Sequence, residues 1–382
     1  MAEEKKLEQT RGTFQLKGNA TQIDRDNAYE EAIRPDGRFA GRTYRKLNIG
    51  VQTSPTNQPR LGIFSYEPDK VFLWDNKKRE KDPNYKGDRM PYDEYLEQKD
   101  ILKANGVAVL QSRVGVEYDD DNKLISEGMT NYEATELIYD NLDNGEGIYV
   151  EGDISYSKYK NRQDEEVTGV NYNISRLHKA GDDFDLNDDE YRVENYYEQE
   201  MVFVDAMADR DNDRLIVIGR IIDYRGNTVD SEFMVNYGED KDMQKLAKNL
   251  KSKFKFGDLM TVHGEIKNET VEEAVETVED DALAMLGGKA QPSFAKRTNR
   301  SYNREMTING VKAWERKKYT EEDFMENEFI KEADKEESDD LTKELGGKSS
   351  AKSDNPFADS GDDLNEDDPF ADSDDSDDDL PF

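Results

Sequence analysis

One order of elements occurs twice in this chain, and it leaves few folds open. Three stretches with period-two alternation precede a helical pattern, and two more strands follow it. In the first copy the strands are Gly12 to Ile23, Arg42 to Thr53 and Arg60 to Tyr66. Thr130 to Leu142 supplies the helix, with Thr130 as N-cap, Glu133 three residues later, and Leu137, Ile138 and Leu142 on one stripe. In the second copy Met201 to Ala206, Leu215 to Tyr224 and Asp230 to Tyr237 are the strands. Asp240 to Phe254 is the helix, with Met243, Leu246, Ala247 and Leu250 at helical spacing. Each helix leads into the same design: a Gly turn, a β run, then Gly, an acid and Ile (Gly152-Asp153-Ile154 and Gly264-Glu265-Ile266). A glycine inside a strand lets it bend round a barrel corner. Val167 to Leu177 and Arg304 to Tyr319 close the two copies. Five short strands with a helix between the third and fourth describe an OB-fold. The expected fold is mainly β: tandem OB-fold barrels with inserted helices, followed by a disordered acidic tail.

The domain limits follow from shifts in composition. Residues 1–11 read as a disordered lead and 12–180 as the first OB-fold domain with insertions. The insertions include a strand at Lys70 to Trp74, a basic loop at Lys77 to Arg89 and a helix at Pro91 to Ala104. That helix has Tyr92, Tyr95, Leu96 and Leu102 as its apolar side, and Val107 to Tyr118 returns to β character. Residues 181–194 are a linker and 195–320 the second OB-fold domain, with an acidic insertion at 268–300. A charged linker, 321–352, leads to a disordered acidic tail, 353–382.

The chain has no cysteine and two histidines, His178 and His263, so disulfides, thiol nucleophiles and His-rich metal clusters are excluded. The run from Asp209 to Arg214 starts like a calcium loop, but Arg214 stands at the sixth position and Arg220 at the twelfth. No nucleophile, histidine and acid grouping is visible. The expectation is a non-enzymatic protein without cofactor or metal. The N-terminus has no apolar h-region, and the apolar runs are too short to span a bilayer, so the expected location is cytoplasmic.

Charge is uneven. The formal net charge is −35, yet residues 34–89 hold 13 bases against 7 acids. Residues 241–267 hold 7 against 3, and residues 296–319 hold 8 against 2. Basic islands in an already soluble acidic chain suit a polyanion. Aromatic rings interleave with them, as single-stranded nucleic acid requires: cations track phosphates and rings stack on unpaired bases. The candidate DNA-binding residues of the first copy are Arg38, Arg42, Tyr44, Lys46, Phe64, Tyr66, Trp74, Lys77, Lys78 and Arg79. Tyr156, Lys158 and Tyr159 sit on a hairpin tip that closes over a strand, with Tyr224 and Arg225 as the comparable tip of the second copy. The last island adds Arg300, Tyr302, Arg304, Trp314 and Arg316. Phe14, Phe203 and Phe233 occupy core-facing positions and are left out.

The tail repeats a unit of acid, Pro and Phe. Asp354-Asn-Pro-Phe-Ala-Asp-Ser360 is followed by Asp367-Asp-Pro-Phe-Ala-Asp-Ser373 and then by Asp377, Asp378, Asp379, Leu380, Pro381 and Phe382. The last three residues are apolar on an otherwise acidic run with 13 acids and no bases after Lys352. This ending resembles that of bacterial single-stranded DNA-binding proteins, and Gly145 to Leu177 is similar to the later half of their OB domain. The resemblance implies a sequence-independent protein that coats and protects single-stranded DNA in replication, recombination and repair. It implies partner proteins docking on Asp377 to Phe382 through an apolar pocket with a basic rim. It implies four OB units per assembly, hence a homodimer here. Family members usually carry one OB domain, and an enlarged phage-encoded version in the host cytoplasm accounts for the length. Two competing readings remain at this point: a recombination mediator, and an acidic β scaffold or DNA mimic that binds a host protein.

Overall fold

The computed structural model describes residues 7–36, 39–160, 166–274 and 298–325, and for residues 160, 166, 270–274 and 298–303 the backbone alone. The expected acidic tail, the charged linker beyond 325, most of the acidic insertion and residues 1–6 of the lead lie outside the described residues.

The first barrel opens with β1 (Gly12–Thr21), β2 (Tyr29–Ile33), β3 (Thr43–Gln52) and β4 (Arg60–Tyr66). An inserted unit follows: β5 (Lys70–Asp75), α1 (Asn76–Lys81), β6 (Asp88–Pro91), α2 (Tyr92–Ala104) and β7 (Val107–Val109). The hairpin β8 (Ser112–Tyr118) and β9 (Leu124–Met129) leads to α3 (Asn131–Asn141), β10 (Gly147–Lys160) and β11 (Glu166–Lys179). The second barrel is β12 (Asn195–Asp209), β13 (Arg214–Ile222), β14 (Thr228–Asn236), α4 (Lys241–Lys253), β15 (Leu259–Ala274) and β16 (Thr298–Glu315).

Both barrels close in the same way. In the first, β1 pairs with β3 and β10, β3 with β4, β4 with β11 in parallel, and β11 with β10. In the second, β12 pairs with β13 and β15, β13 with β14, β14 with β16 in parallel, and β16 with β15. This is the OB-fold strand order twice over, with α3 and α4 at the expected place between third and fourth strands. Thr130 caps α3 by accepting from the Glu133 amide at 3.2 Å while the Glu133 carboxylate accepts from the Thr130 amide at 3.1 Å. Asp240 caps α4 by accepting from the Asp242 and Met243 amides.

The fourth-strand glycines sit at bulges in both barrels. Register shifts occur at Glu151/Gly152 in β10 and at His263/Gly264 in β15. A Cβ on Gly152 would lie 1.9 Å from the Asn173 carbonyl oxygen, and one on Gly264 1.6 Å from that of Thr307. Only glycine allows neighbouring backbone this close.

The barrels are fused rather than strung together. Gly12 to Leu16 of β1 pairs with Asn195 to Gln199 of β12. One buried cluster runs through both, from Phe14, Leu47, Ile63 and Ile138 to Tyr197, Phe233, Leu250 and Ile308. The β3–β4 loop adds a polar clasp. The Asn57 amide group donates to Thr53 Oγ1 and to the Ile266 carbonyl, both at 3.0 Å, and its Oδ1 accepts from the Asn268 amide at 2.7 Å.

Four features differ from the sequence expectation. The stretch Lys77 to Arg89 contains α1 and the start of β6, because Asp75 caps a short helix there. Val107 to Tyr118 is two strands in different sheets. The strand β2 and the hairpin partner β9 carry no clean alternation: most of their residues are half-buried or exposed on both faces. On α2, Tyr92 and Tyr95 are buried but Leu96 is 49% exposed, because β5 and β7 cover only one side of that helix.

Candidate nucleic-acid interface

Alternation on β3 buries Leu47, Ile49 and Val51 in the first barrel and turns Tyr44, Lys46 and Asn48 outward. The neighbouring β4 buries Leu61 and Ile63 and turns out Arg60, Gly62, Phe64 and Tyr66. Antiparallel register then places Tyr44 beside Tyr66, Lys46 beside Phe64, Asn48 beside Gly62 and Gly50 beside Arg60. The result is a ladder of rings and cations along the outer face of the second and third barrel strands.

The rings touch one another. Tyr44 stacks on Phe64 with centroids 5.5 Å apart, Phe64 meets Tyr66 edge to face at 5.2 Å, and Phe39 stacks on Tyr66 at 4.7 Å. The Arg42 guanidinium lies 5.7 Å from the Phe39 ring and 5.8 Å from that of Tyr66. It also bonds the Glu67 carbonyl at 2.7 Å and pairs with Asp69 at 3.1 Å. The Tyr44 hydroxyl donates to Glu30 at 2.5 Å. Arg45 turns to the opposite side, where it pairs with Glu31 and Glu136 and lies 4.0 Å from the Tyr132 ring. Arg45 therefore fixes β2 and α3 against β3 and holds the ladder from behind.

At its Phe64 end the ladder opens into a cleft of about 700 Å³ between the barrels. Its floor includes Ile49, Leu61, Ile63, Tyr172, Met234 and Met306. The charged lining is Arg25, Lys46, Arg60, Lys267 and Arg304 against Asp26, Glu30, Glu232 and Glu305. Of these, Glu305 is engaged by Arg214 at 2.6 Å and Lys267 by Glu269 at 3.8 Å. The β10–β11 hairpin forms one wall through Ser157, Tyr159, Thr168 and Gly169. Asn173, also in the wall, donates from Nδ2 to Ser155 Oγ at 2.9 Å.

The residues singled out from sequence divide between several places. Arg42, Tyr44, Lys46, Phe64 and Tyr66 form the ladder, and Tyr159 and Arg304 line the cleft. Lys158 is exposed on β10. Arg38 lies outside the described residues, and Arg300 and Tyr302 are placed on β16 by backbone alone.

Others stand in different surroundings from those the sequence suggested. Tyr156 is no hairpin tip: it packs on the core, and its hydroxyl meets Gln199 Oε1 at 3.1 Å and the Met306 sulfur at 3.5 Å. Burial pushes its hydroxyl pKa well up. Trp314 stacks on Phe254 at 4.3 Å, donates from Nε1 to Asp258 at 3.0 Å and carries Arg316 on its ring at 4.3 Å, so both residues brace the second barrel. Tyr224 and Arg225 occupy the β13–β14 turn, whose counterpart is the β3–β4 loop and not the β10–β11 hairpin. Tyr224 is exposed there, with Arg225 Nε on its hydroxyl at 2.6 Å. Trp74, Lys77, Lys78 and Arg79 belong to the separate three-stranded sheet β6–β5–β7 and its helix α1.

Arg25, Arg60, Lys267 and Asn173 were not singled out. Arg60 was within reach, since it shares strand parity with Phe64 and Tyr66. The others come together only through the fusion of the barrels.

The chain is thus a double OB-fold protein with an aromatic and cationic outer face on one barrel. The family model YorF matches residues 92–343, and the chain belongs to the YorF family. No curated protein matches it. Among solved structures it is similar to a deletion mutant of the single-stranded DNA-binding protein from Thermus aquaticus, at 11% identity and a TM-score of 0.35, over 80% of this chain and 94% of that one. Among the described residues, no helix is long and apolar enough to cross a membrane.

Proposed function

We propose that this chain is a non-catalytic, sequence-independent single-stranded DNA-binding protein. The observation that carries the reading is the ladder Tyr44/Tyr66 and Lys46/Phe64 on the second and third strands of the first barrel. That face is where OB-folds hold oligonucleotides. Rings at strand spacing accept successive unpaired bases, while Arg42, Lys46 and Arg60 reach phosphates. Stacking on these rings is tolerant of sequence, because every base presents a π-face. Coating DNA in replication, recombination and repair follows from this reading. Partner recruitment is assigned to the three acid, Pro and Phe units within residues 353–382.

A gel shift with oligo(dT), repeated with duplex of the same length, tests the reading. Oligo(dT) is retained and duplex is not. The logarithm of affinity falls with the logarithm of salt at about −0.7 per phosphate contact. Equal retention of both, or a slope near zero, overturns it. Removing residues 353–382 preserves or tightens DNA binding and abolishes co-purification of replication or repair proteins; loss of DNA binding on that removal refutes the role given to the tail.

A further inference from the structure

The inserted unit between β4 and β8 carries a second arrangement of rings and cations. Its sheet has two faces. Val71 and Leu73 of β5 pack with Tyr92, Tyr95, Val109 and Tyr132 under α2, which completes a small core. Phe72 and Trp74 therefore point the other way, from a face that no helix covers. Arg89 stands beside Phe72, and Ala108 beside Trp74. Tyr85 comes up from the following loop to place its ring 5.6 Å from that of Trp74 at an interplanar angle of 47°. At that spacing the two rings touch each other and together form one aromatic surface.

The ring pair is held from its edges. Trp74 Nε1 donates to Asn76 Oδ1 at 3.0 Å. The Tyr85 hydroxyl donates to Asp88 at 2.9 Å, and the same carboxylate holds Lys78 at 2.7 Å. Gly87, at φ +91°, lets the loop lie on Phe72: a Cβ there would sit 2.2 Å from the end of that ring. The rings are fixed by bonds at their rims while their faces keep no hydrogen-bond duty. Around them residues 76–89 carry six bases against three acids, in a chain of net charge −35. Lys77 and Arg79 are bound only to main-chain carbonyls, of Asn105 and Pro83, which a phosphate displaces without breaking an ion pair.

We infer that this face is a second single-stranded nucleic-acid site, in which a base stacks on the Trp74–Tyr85 ring pair and Lys77, Arg79 and Arg89 take the flanking phosphates. It is separate from the first: no residue of the inserted sheet lines the interbarrel cleft among the described residues. Charge complementarity selects a polyanion, and the ring pair selects one with exposed planar bases, which a duplex keeps stacked inside. The inference rests on the single-stranded DNA reading of the chain.

The chain has two tryptophans, Trp74 and Trp314, which makes the test selective. In a Trp314→Phe chain, emission reports Trp74 alone, and in a Trp74→Phe chain it reports Trp314 alone. Oligo(dT) is titrated into both while anisotropy of a labelled oligonucleotide follows binding. Quenching is expected only where Trp74 is present. It is expected to persist when Tyr44→Ala and Phe64→Ala have weakened the barrel face. Heparin, a polyanion without bases, displaces the oligonucleotide without quenching. Trp74→Ala weakens oligo(dT) binding about tenfold, and Lys77→Ala with Arg79→Ala lowers the salt slope by about 1.4. Binding by anisotropy with unchanged Trp74 emission overturns the second site and leaves the first. Equal quenching by heparin reduces it to a charge patch and overturns it as a base site. Absence of binding in every chain overturns the single-stranded DNA reading and this inference with it.

Discussion

In the first barrel, strands two and three turn Tyr44, Lys46, Phe64 and Tyr66 outward. In the second, the same two strands put Ile216 beside Met234, Ile218 beside Glu232 and Arg220 beside Asp230. The strand order is identical, and so is the inward alternation, with Leu215, Val217, Phe233 and Val235 matching the role of Leu47, Ile49, Leu61 and Ile63. What differs is the outward half of the period. The second barrel has no ring at these positions, and its arginines are ion-paired, as Arg42 of the first barrel is with Asp69, so the rings are what set the two faces apart. Arg220 holds Asp230 through two bonds of 2.6 and 2.8 Å, and Arg214 holds Asp209 and Glu305. An arginine already bidentate on a carboxylate must break that pair to reach a phosphate. One barrel therefore carries the aromatic outer face on which the proposed function rests, and the other completes the fused core and one side of the cleft.

The sharpest way to break this contrast is a matched pair of double substitutions. Tyr44→Ala with Phe64→Ala removes two stacking platforms, at about 1–3 kcal/mol per base, so oligo(dT) affinity falls at least about thirtyfold. Ile216→Ala with Ile218→Ala removes two half-buried aliphatic side chains from the equivalent strand of the second barrel and leaves affinity within about twofold. Fluorescence anisotropy at fixed salt measures both. Equal losses from the two pairs refute the division of labour, even if DNA binds.

The architecture was legible because it depends on local signals: period-two alternation, the Thr130–Glu133 box, and a glycine in each fourth strand. The ladder was half legible, since strand parity alone puts Tyr44 with Lys46 and Phe64 with Tyr66. The cleft was not, because Arg25, Lys267 and Asn173 meet only after β1 pairs with β12. Aromatic residues were the least legible. Trp74 and Trp314 both stand beside bases in the chain, yet Trp314 is braced between Phe254 and Arg316 while Trp74 faces outward. Composition reports that a ring has cations near it in sequence; it does not report which side of the strand the next layer covers.

The two strand-two to strand-three turns extend the contrast to stability. The β3–β4 loop is clasped onto β15 by Asn57, which is buried, whereas the β13–β14 turn projects Tyr224 at 67% exposure. Asn57→Ala removes the side-chain acceptor of the Asn268 amide at the seam, while the Ile266 carbonyl keeps its bond from Asn195 Nδ2 at 2.7 Å, at a cost of about 1–3 kcal/mol in urea denaturation. Tyr224→Ala stays within about 0.5 kcal/mol. A neutral Asn57→Ala means that the β1–β12 pairing and the bonds between Gln58 and Asn268 hold the barrels together without it.

The smallest expected effect concerns the β8–β9 hairpin, which has no counterpart in the second barrel. It reaches β11 partly through the Ser126 hydroxyl, 2.8 Å from His178 Nε2. Burial, and then the positive charge of Arg113, hold the His178 pKa below its ordinary value. A proton is thus bound more weakly in the folded chain than in the unfolded one. The stability this confers is complete above the ordinary histidine range and is lost as pH falls through it toward the depressed folded value. His178→Gln keeps a polar group near Ser126 and cannot take up the proton. It should flatten the dependence of urea midpoint on pH between about 7 and 5. The acidic side chains with lowered pKa, Glu31, Asp88 and Asp209, act in the same direction but at lower pH, so they do not mask the difference. An unchanged slope in His178→Gln assigns the near-neutral dependence to another group and leaves the hairpin held by its β8–β11 pairing.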